Sequence, residues 1–291
     1  MSSTDQVRTA VGELTGRTPS EVRPVGGGDT SAAFRARLDD GTAVFAKSAP
    51  EDMPGAIAAE AASLSWLAET GAVAVPTVHG HDDRWLVIDH IESGSPSAGK
   101  AEDLGRGLAA MHNSGAPAHG APPPGGPTDA WIGLAPMRNV PADDWPSFYA
   151  EQRIAPYLRR AVDSGTLRRD EAEVIDRVRE QLPDLAGPPE SPSRLHGDLW
   201  SGNVHWGERA WLIDPAGHGG HRETDLAMLH LFGCPHLDRV VAAYEEASPL
   251  ADGWRERIGL HQLFPLLVHA VLFGRGFAGQ AVAAARSALN G

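Results

Sequence analysis

The run His196-Gly197-Asp198-Leu199-Trp200-Ser201-Gly202-Asn203 sets an imidazole, a carboxylate and a carboxamide at H-x-D-x-x-x-x-N spacing, and Asp214 follows at the end of a short apolar run, Leu212-Ile213-Asp214-Pro215-Ala216. Phosphoryl transfer uses such a set. A carboxylate orients the attacking hydroxyl and takes its proton, while a carboxamide and a second carboxylate hold Mg²⁺ on the phosphates. The same residues would also fit a plain polar turn. Gly197 stands where protein kinases carry an arginine, and Asp214-Pro215-Ala216 stands in place of D-F-G. The pattern therefore points to a small substrate rather than to a phosphorylation-controlled protein kinase.

The nucleotide phosphates need a cation, and of the 25 basic residues only Lys47 and Lys100 are lysines. Lys47 closes the strand-like run Thr42-Ala43-Val44-Phe45-Ala46-Lys47, where a compact ammonium can reach phosphate. Glu60 lies at helical spacing with Ile57, Leu64 and Leu67, and a carboxylate on that stripe calls for a cation such as Lys47. Gly26, Gly27 and Gly28 would let backbone N–H groups approach phosphate, or serve as an ordinary hairpin turn. Backbone groups of Asp89 and Ile91 fall where two lobes would join and could meet an adenine edge, or form a linker.

These residues need elements to hold them. A chain of 291 residues allows two domains or one two-lobed enzyme. Before Glu92 the chain reads as an antiparallel sheet with one main helix: VRPV, AAFRARL, TAVFAK, VAVPTVHG and RWLVIDHI as strands, and Met53 to Ala68 as the helix. Residues 93–291 read as a larger, mostly helical lobe, with helical stretches near Asp144 to Ala161 and Arg169 to Leu182, and a small hairpin around the HGD and IDPA runs. The Pro/Gly/Ala tract 115–127 reads as a loop that could act as a substrate lid. Leu260 to Phe273 is apolar but too short to span a bilayer, and reads as a buried helix.

Composition removes other classes. Acidic residues outnumber basic ones to give a net charge of −13, which disfavours nucleic acid and anionic membrane surfaces. A single cysteine, Cys234, and an N-terminus without a signal-peptide pattern suggest the cytoplasm. The pairs His79-x-His81 and His218-x-x-His221 lack the cysteine or acidic partners of a recognised metal spacing, and there is no G-x-S-x-G elbow for a hydrolase.

Taken together, LHGDLWSGN, LIDPAGHGGHRETDLAMLHLFG and LFPLLVHAVLFG resemble the fructosamine kinase (ketosamine 3-kinase) family, a branch of the aminoglycoside-phosphotransferase-like kinases, and LGRGLAAMH and WPSFYAEQRIAP are similar echoes. The resemblance implies an α+β, two-lobed protein-kinase-like fold with ATP and Mg²⁺ as cofactors. It also implies phosphorylation of the sugar 3-hydroxyl of ketosamines (fructosyl-, ribulosyl- or erythrulosyl-amines), free or on protein lysines, with deglycation following. Carried over by residue, it implies Asp198 as base or positioning group, Asn203 and Asp214 as metal ligands, Lys47 as phosphate contact with Glu60 as partner, and Asp225 as a brace for the catalytic loop. His196, Trp200 and His218 are implied on the substrate side, although Trp200 would equally suit a packed core. Two departures stand out: His218-Gly219 replaces paired tyrosines, and Asp29 replaces a cysteine, so no thiol switch is expected there. The competing readings are an aminoglycoside- or choline-type kinase of the same fold, and a non-catalytic nucleotide-binding module.

Overall fold

The computed structural model describes residues 3–26 and 32–290. The chain opens with helix α1 (Ser3–Thr15), which the reading above does not include, although Val7, Ala10, Val11 and Leu14 have helical spacing. Five strands follow: β1 (Pro19–Pro24), β2 (Ala33–Leu38), β3 (Ala43–Ser48), and, after helix α2 (Ala56–Ala68), β4 (Val78–His81) and β5 (Trp85–Asp89). They form one antiparallel sheet in the order β1-β2-β3-β5-β4.

The period of two along β3 sorts its side chains. Val44 and Ala46 turn to one face and pack with Val7 and Val11 of α1, Phe34 of β2 and Val87 of β5. Phe45 joins Leu86, Ile88 and the α2 residues Ile57, Leu64 and Leu67 in a second core. Lys47 thereby comes to the α2 side of the sheet. That second core does not stop at the sheet. It continues through Leu104 and Leu108 of α3 (Ala98–Asn113) to Leu199, Val204 and Leu212 around the catalytic segment.

The rest of the chain is mainly helical. A hairpin of β6 (Asp129–Ile132) and β7 (Ala135–Arg138) leads to α4 (Trp145–Phe148), a π-helical segment at Tyr149–Ile154, and α5 (Ala155–Asp163). The stretch predicted as one helix is thus interrupted by a wider turn. Helices α6 (Arg169–Glu180) and α7 (Leu182–Leu185) precede β8 (Ser193–Leu195). The hairpin β9 (Val204–Trp206) and β10 (Ala210–Leu212) comes next, then β11 (His218–Gly220), which pairs with β8. Helices α8 (Glu223–Phe232), α9 (Leu237–Ala247), α10 (Ile258–Phe273) and α11 (Arg275–Asn290) complete the lobe. Helix α10 is buried along most of its length and forms, with α11 and the α4–α6 region, a third core. Among the described residues no helix is long and apolar enough to cross a membrane.

The tract 115–127 is not a free lid. Gly120 N–H donates to Gly219 O at 2.7 Å and Gly219 N–H donates to Ala121 O at 2.8 Å, which ties its middle to β11. His119, Gly120, Ala121 and Pro123 are buried. The tract is a fixed wall behind the strand that follows the Asp214 turn.

Candidate active site

The segment 196–203 is held from below by Asp225, the third residue of α8. One carboxylate oxygen accepts from His196 N–H at 2.8 Å and the other from Gly197 N–H at 2.9 Å. His112 Nε2 lies 3.1 Å from the first of these, and its Nδ1 meets the Tyr244 hydroxyl at 2.8 Å. Burial alone would raise the Asp225 pKa, but these donors and the neighbouring imidazoles outweigh it and hold the carboxyl below its ordinary value. Gly197 adopts a φ of +81°, and a Cβ there would lie 2.1 Å from Ala216 O, so neither an arginine nor an alanine fits without moving the backbone.

His196 is fully buried, with Nε2 at 3.0 Å from Ile213 O and Nδ1 receiving Asp198 N–H at 3.3 Å. It fastens the catalytic segment to the strand before Asp214. The expectation that His196 faces the substrate is therefore corrected. His218 is corrected for the same reason. Only 2% of it is accessible, its Nδ1 is 2.9 Å from Ala216 O, and its ring packs on Phe148. Gly219 has no room for a larger residue, because a Cβ would stand 2.1 Å from Ala118 O. The His-Gly pair thus belongs to the wall formed with 115–127, not to a substrate surface.

Above this base the reacting groups gather. Asn203 Nδ2 donates to Asp198 O at 2.8 Å and to Asp198 Oδ2 at 3.1 Å. Its Oδ1 is thereby left as the atom able to face a cation. Burial pushes the Asp198 carboxyl up to about 7, reinforced by the charges of Asp214 and Asp225 and opposed by the Asn203 bond. Asp214 sits with φ at +53°, a left-handed conformation unusual for a non-glycine residue, and its side chain is half exposed to the cleft. Oxygen donors from Asn203 and Asp214 suit a hard divalent cation such as Mg²⁺.

Lys47 Nζ lies 2.7 Å from Glu60 Oε2 and 2.6 Å from Asp214 Oδ1. The structure therefore brings the small-lobe cation, its helix partner and the Asp214 turn to one point. Burial disfavours the ammonium, but the two carboxylates outweigh it and keep the Lys47 pKa above its ordinary value. Glu60 is pushed up to about 7 by burial, which exceeds the help it takes from Lys47. Asp214 goes the other way, since Lys47 overcomes the cost of its position and holds its pKa low.

Helix α2 presents Glu60 correctly because its far side is attached to the large lobe. Ser63 Oγ accepts from Gly217 N–H at 3.1 Å, and Arg194 of β8 donates to Trp66 O and stacks its guanidinium 4.6 Å from the Trp66 ring. Neither Ser63 nor Arg194 carries a sequence signal. His112 does: it ends the LGRGLAAMH echo. At the junction of the lobes, Asp89 N–H is committed to Thr77 O and its carboxylate to Thr77 N–H and His79, so the Asp89 amide is not free for adenine. Among the described residues Ile91 N–H has no backbone partner. Lys100, the other lysine, secures this junction by donating to Ser95 O and Gly207 O. Gly26 follows β1, while Gly27, Gly28 and Asp29 lie outside the described residues.

The structure also gathers His221, Glu223 and His261 within 4.8 Å of one another, a set that local spacing could not reveal. Arg257 already engages both Glu223 oxygens, at 2.9 and 2.6 Å, so the carboxylate has its cation. Trp200, two residues past Asp198, is 39% exposed.

The sequence profile of the fructosamine kinase family matches residues 3–290. A candidate ketoamine kinase of Enterococcus faecium is 30% identical over 281 residues, covering 94% of this chain and 96% of that one. The chloroplastic protein-ribulosamine 3-kinase of Arabidopsis thaliana is 30% identical over 270 residues, covering 90% and 81%. A crystal structure of a candidate fructosamine-3-kinase from Thermobifida fusca superposes with a TM-score of 0.93 at 49% identity, covering 99% of each chain. At 12% identity and a TM-score of 0.63, the gentamicin complex of an aminoglycoside phosphotransferase shares the fold, covering 100% of this chain and 97% of that one.

Proposed function

Because the chain belongs to the fructosamine kinase family, we propose that it transfers the γ-phosphoryl group of ATP to the 3-hydroxyl of a ketosamine, with residues 1–92 as nucleotide lobe and 93–291 as catalytic lobe. The observation that carries the assignment of roles is the meeting of Lys47 with both Glu60 and Asp214, at 2.7 and 2.6 Å. It joins the phosphate-binding cation to the metal-binding end of the catalytic segment.

In this reading Asp198 Oδ1 receives the hydrogen bond of the sugar 3-hydroxyl, because Oδ2 is engaged by Asn203. The O3–P bond forms as the bond from the γ-phosphorus to the bridging oxygen breaks. The hydroxyl proton passes to Asp198 and ADP leaves. Asn203 and Asp214 are the residues that would hold Mg²⁺, which supplies charge neutralisation on the phosphates when bound. Lys47 neutralises phosphate charge and Glu60 keeps its ammonium in place. After the product leaves, loss of a C1 proton to the 1,2-enaminol would expel phosphate from C3, and water would hydrolyse the resulting C1 imine to free amine and a 3-deoxyosone, which is deglycation.

The test is Mg²⁺-dependent ADP release with fructosyl-, ribulosyl- and erythrulosyl-lysine beside aminoglycosides and choline, with Asp198→Asn as blank. Turnover confined to ketosamines is expected. Turnover of an aminoglycoside or choline alone would move the protein to another branch of the same fold.

A further inference from the structure

Four side chains of the large lobe, Arg222, Tyr244, His112 and Asp225, are linked so that their hydrogen bonds can run in one direction only. Arg222, just before α8, engages both oxygens of Glu190 at 2.7 Å and also hydrogen-bonds the phenol of Tyr244 on α9. The Tyr244 hydroxyl lies 2.8 Å from Nδ1 of His112, the last residue but one of α3, and His112 Nε2 lies 3.1 Å from Asp225 Oδ2. That oxygen also accepts His196 N–H at 2.8 Å, and Oδ1 accepts Gly197 N–H at 2.9 Å, so the chain ends on the backbone that leads into Asp198. His112 and Tyr244 are fully buried and Asp225 is 1% accessible, which leaves no water to redirect these bonds.

The two ends set the direction. A guanidinium has donors and no acceptor, and an ionised carboxylate only accepts. Burial works against charge on Asp225, but its donors, His112 first among them, outweigh it and hold the carboxyl low. Burial raises the pKa of Tyr244 against the pull of Arg222, so the phenol keeps its proton. With Arg222 donating to the phenol oxygen and both Glu190 oxygens taken up by Arg222, that proton is directed to His112 Nδ1. Nδ1 is then an acceptor, and Nε2 carries the imidazole proton and donates it to Asp225. A proton on Nδ1 would set two donors against each other with no acceptor between them.

We propose that Tyr244 and His112 are positioning residues for the transfer step: Tyr244 sets the tautomer of His112, and His112 Nε2–H fixes the plane of the Asp225 carboxylate beneath the segment that carries Asp198. The catalytic part of this inference rests on the kinase reading, whereas the tautomer does not. A carboxylate free to turn about its Cβ–Cγ bond could keep one of the two amides and lose the other, and a directed donor on Oδ2 removes that freedom. Gly197, with φ at +81°, is the pivot immediately before Asp198, so an error there is carried to the carboxyl that must meet the acceptor hydroxyl. The final histidine of the LGRGLAAMH run thus acts on the reaction without touching substrate, nucleotide or metal.

Amide replacements separate the two nitrogens of His112. His112→Gln puts its amide near the place of Nε2 and keeps a donor for Asp225, whereas His112→Asn puts its amide near Nδ1 and takes that donor away. With kcat and KM measured for ATP and fructosyl-lysine, His112→Asn should lower kcat about tenfold or more while KM for ATP stays within about twofold, and His112→Gln should lose about threefold or less. Tyr244→Phe should lose about threefold in the native background and nothing further in His112→Gln, because its effect passes through the imidazole. Nitrogen-15 spectra of histidine-labelled protein, with the His112 signals assigned by their absence from His112→Gln, should place the proton on Nε2. Equal losses in the Gln and Asn variants, or additive losses on combining Tyr244→Phe with His112→Gln, would reduce the pair to packing and overturn the proposal, as would a proton on Nδ1. If neither fructosyl-lysine nor another ketosamine is turned over, the kinase reading falls and the role in transfer with it, while the spectra still decide the tautomer.

Discussion

Asp198 and Asp225 are two carboxylates of the large lobe, the first partly buried and the second fully buried, and they have opposite fates. Asp225 is surrounded by donors, two backbone amides and an imidazole, so its charge is satisfied and its pKa falls. Asp198 has one donor, Asn203, and two acidic neighbours, so its pKa rises to about 7. Burial disfavours charge at both, and the count of donors decides the sign. The layer beneath the loop is built for rigidity, and the face above it keeps an under-satisfied oxygen for a substrate to complete. Glu60 resembles Asp198 in this respect, since its Oε1 is buried without a partner and its carboxyl also rises to about 7.

The comparison is broken most directly at Asp198. Asp198→Asn should lower kcat by about 10³-fold while calorimetry finds nucleotide binding retained. The same variant should melt higher, by about 2 °C or more, because a partly buried charge with a single side-chain donor has been removed. A variant that melts lower would show that Asp198 is as well satisfied as Asp225. At Asp225 the opposite is expected. Asp225→Ala leaves the His196 and Gly197 amides buried without an acceptor and should cost about 3 kcal/mol of stability in denaturant unfolding.

Glu60→Gln sharpens the comparison on the small-lobe side. It should reduce kcat/KM about tenfold through loss of Lys47 positioning, with little loss of stability. The effect of pH is of similar size. With Asp198 protonated below about 7, kcat/KM should fall about tenfold between pH 8 and pH 6. Stability follows a different course. The raised pKa of Asp198 makes its cost fully present above 7 and relieves it progressively as pH falls toward the unfolded carboxyl value near 4. The stabilisation from Asp225, whose pKa is lowered, persists through that window and is lost only below it.

What was legible in the sequence divides along the same line. The HGDLWSGN run and the Asp214 turn are local, so their chemistry could be read at once, as could the alternation that puts Lys47 and Val44 on opposite faces of β3. Supports that join residues far apart in the chain are harder to read: the brace from Asp225 to His196 across 29 positions came only through the family resemblance, and the link from Ser63 to Gly217 across 154 was not legible at all. A serine in an Ala-rich helix announces nothing until the fold brings an amide to it. His196 was misplaced because flanking Asp198 in sequence says nothing about which side of the loop a side chain takes, and His218 because standing where relatives carry a tyrosine says nothing about the wall packed behind it. Helix α1 had its stripe in plain view, but it holds the back of the sheet and touches no chemistry.

The attachment of α2 has a consequence for how Lys47 is kept in place. Glu60 and Ser63, one turn apart on the same helix, grip Lys47 and Gly217, and Arg194 holds the helix end at Trp66. Swinging that helix away would break all three contacts at once, so the protein has no inexpensive resting posture in which the lysine is disengaged. The lysine is therefore poised by the folded chain itself, and removing any one of the three grips should loosen the other two.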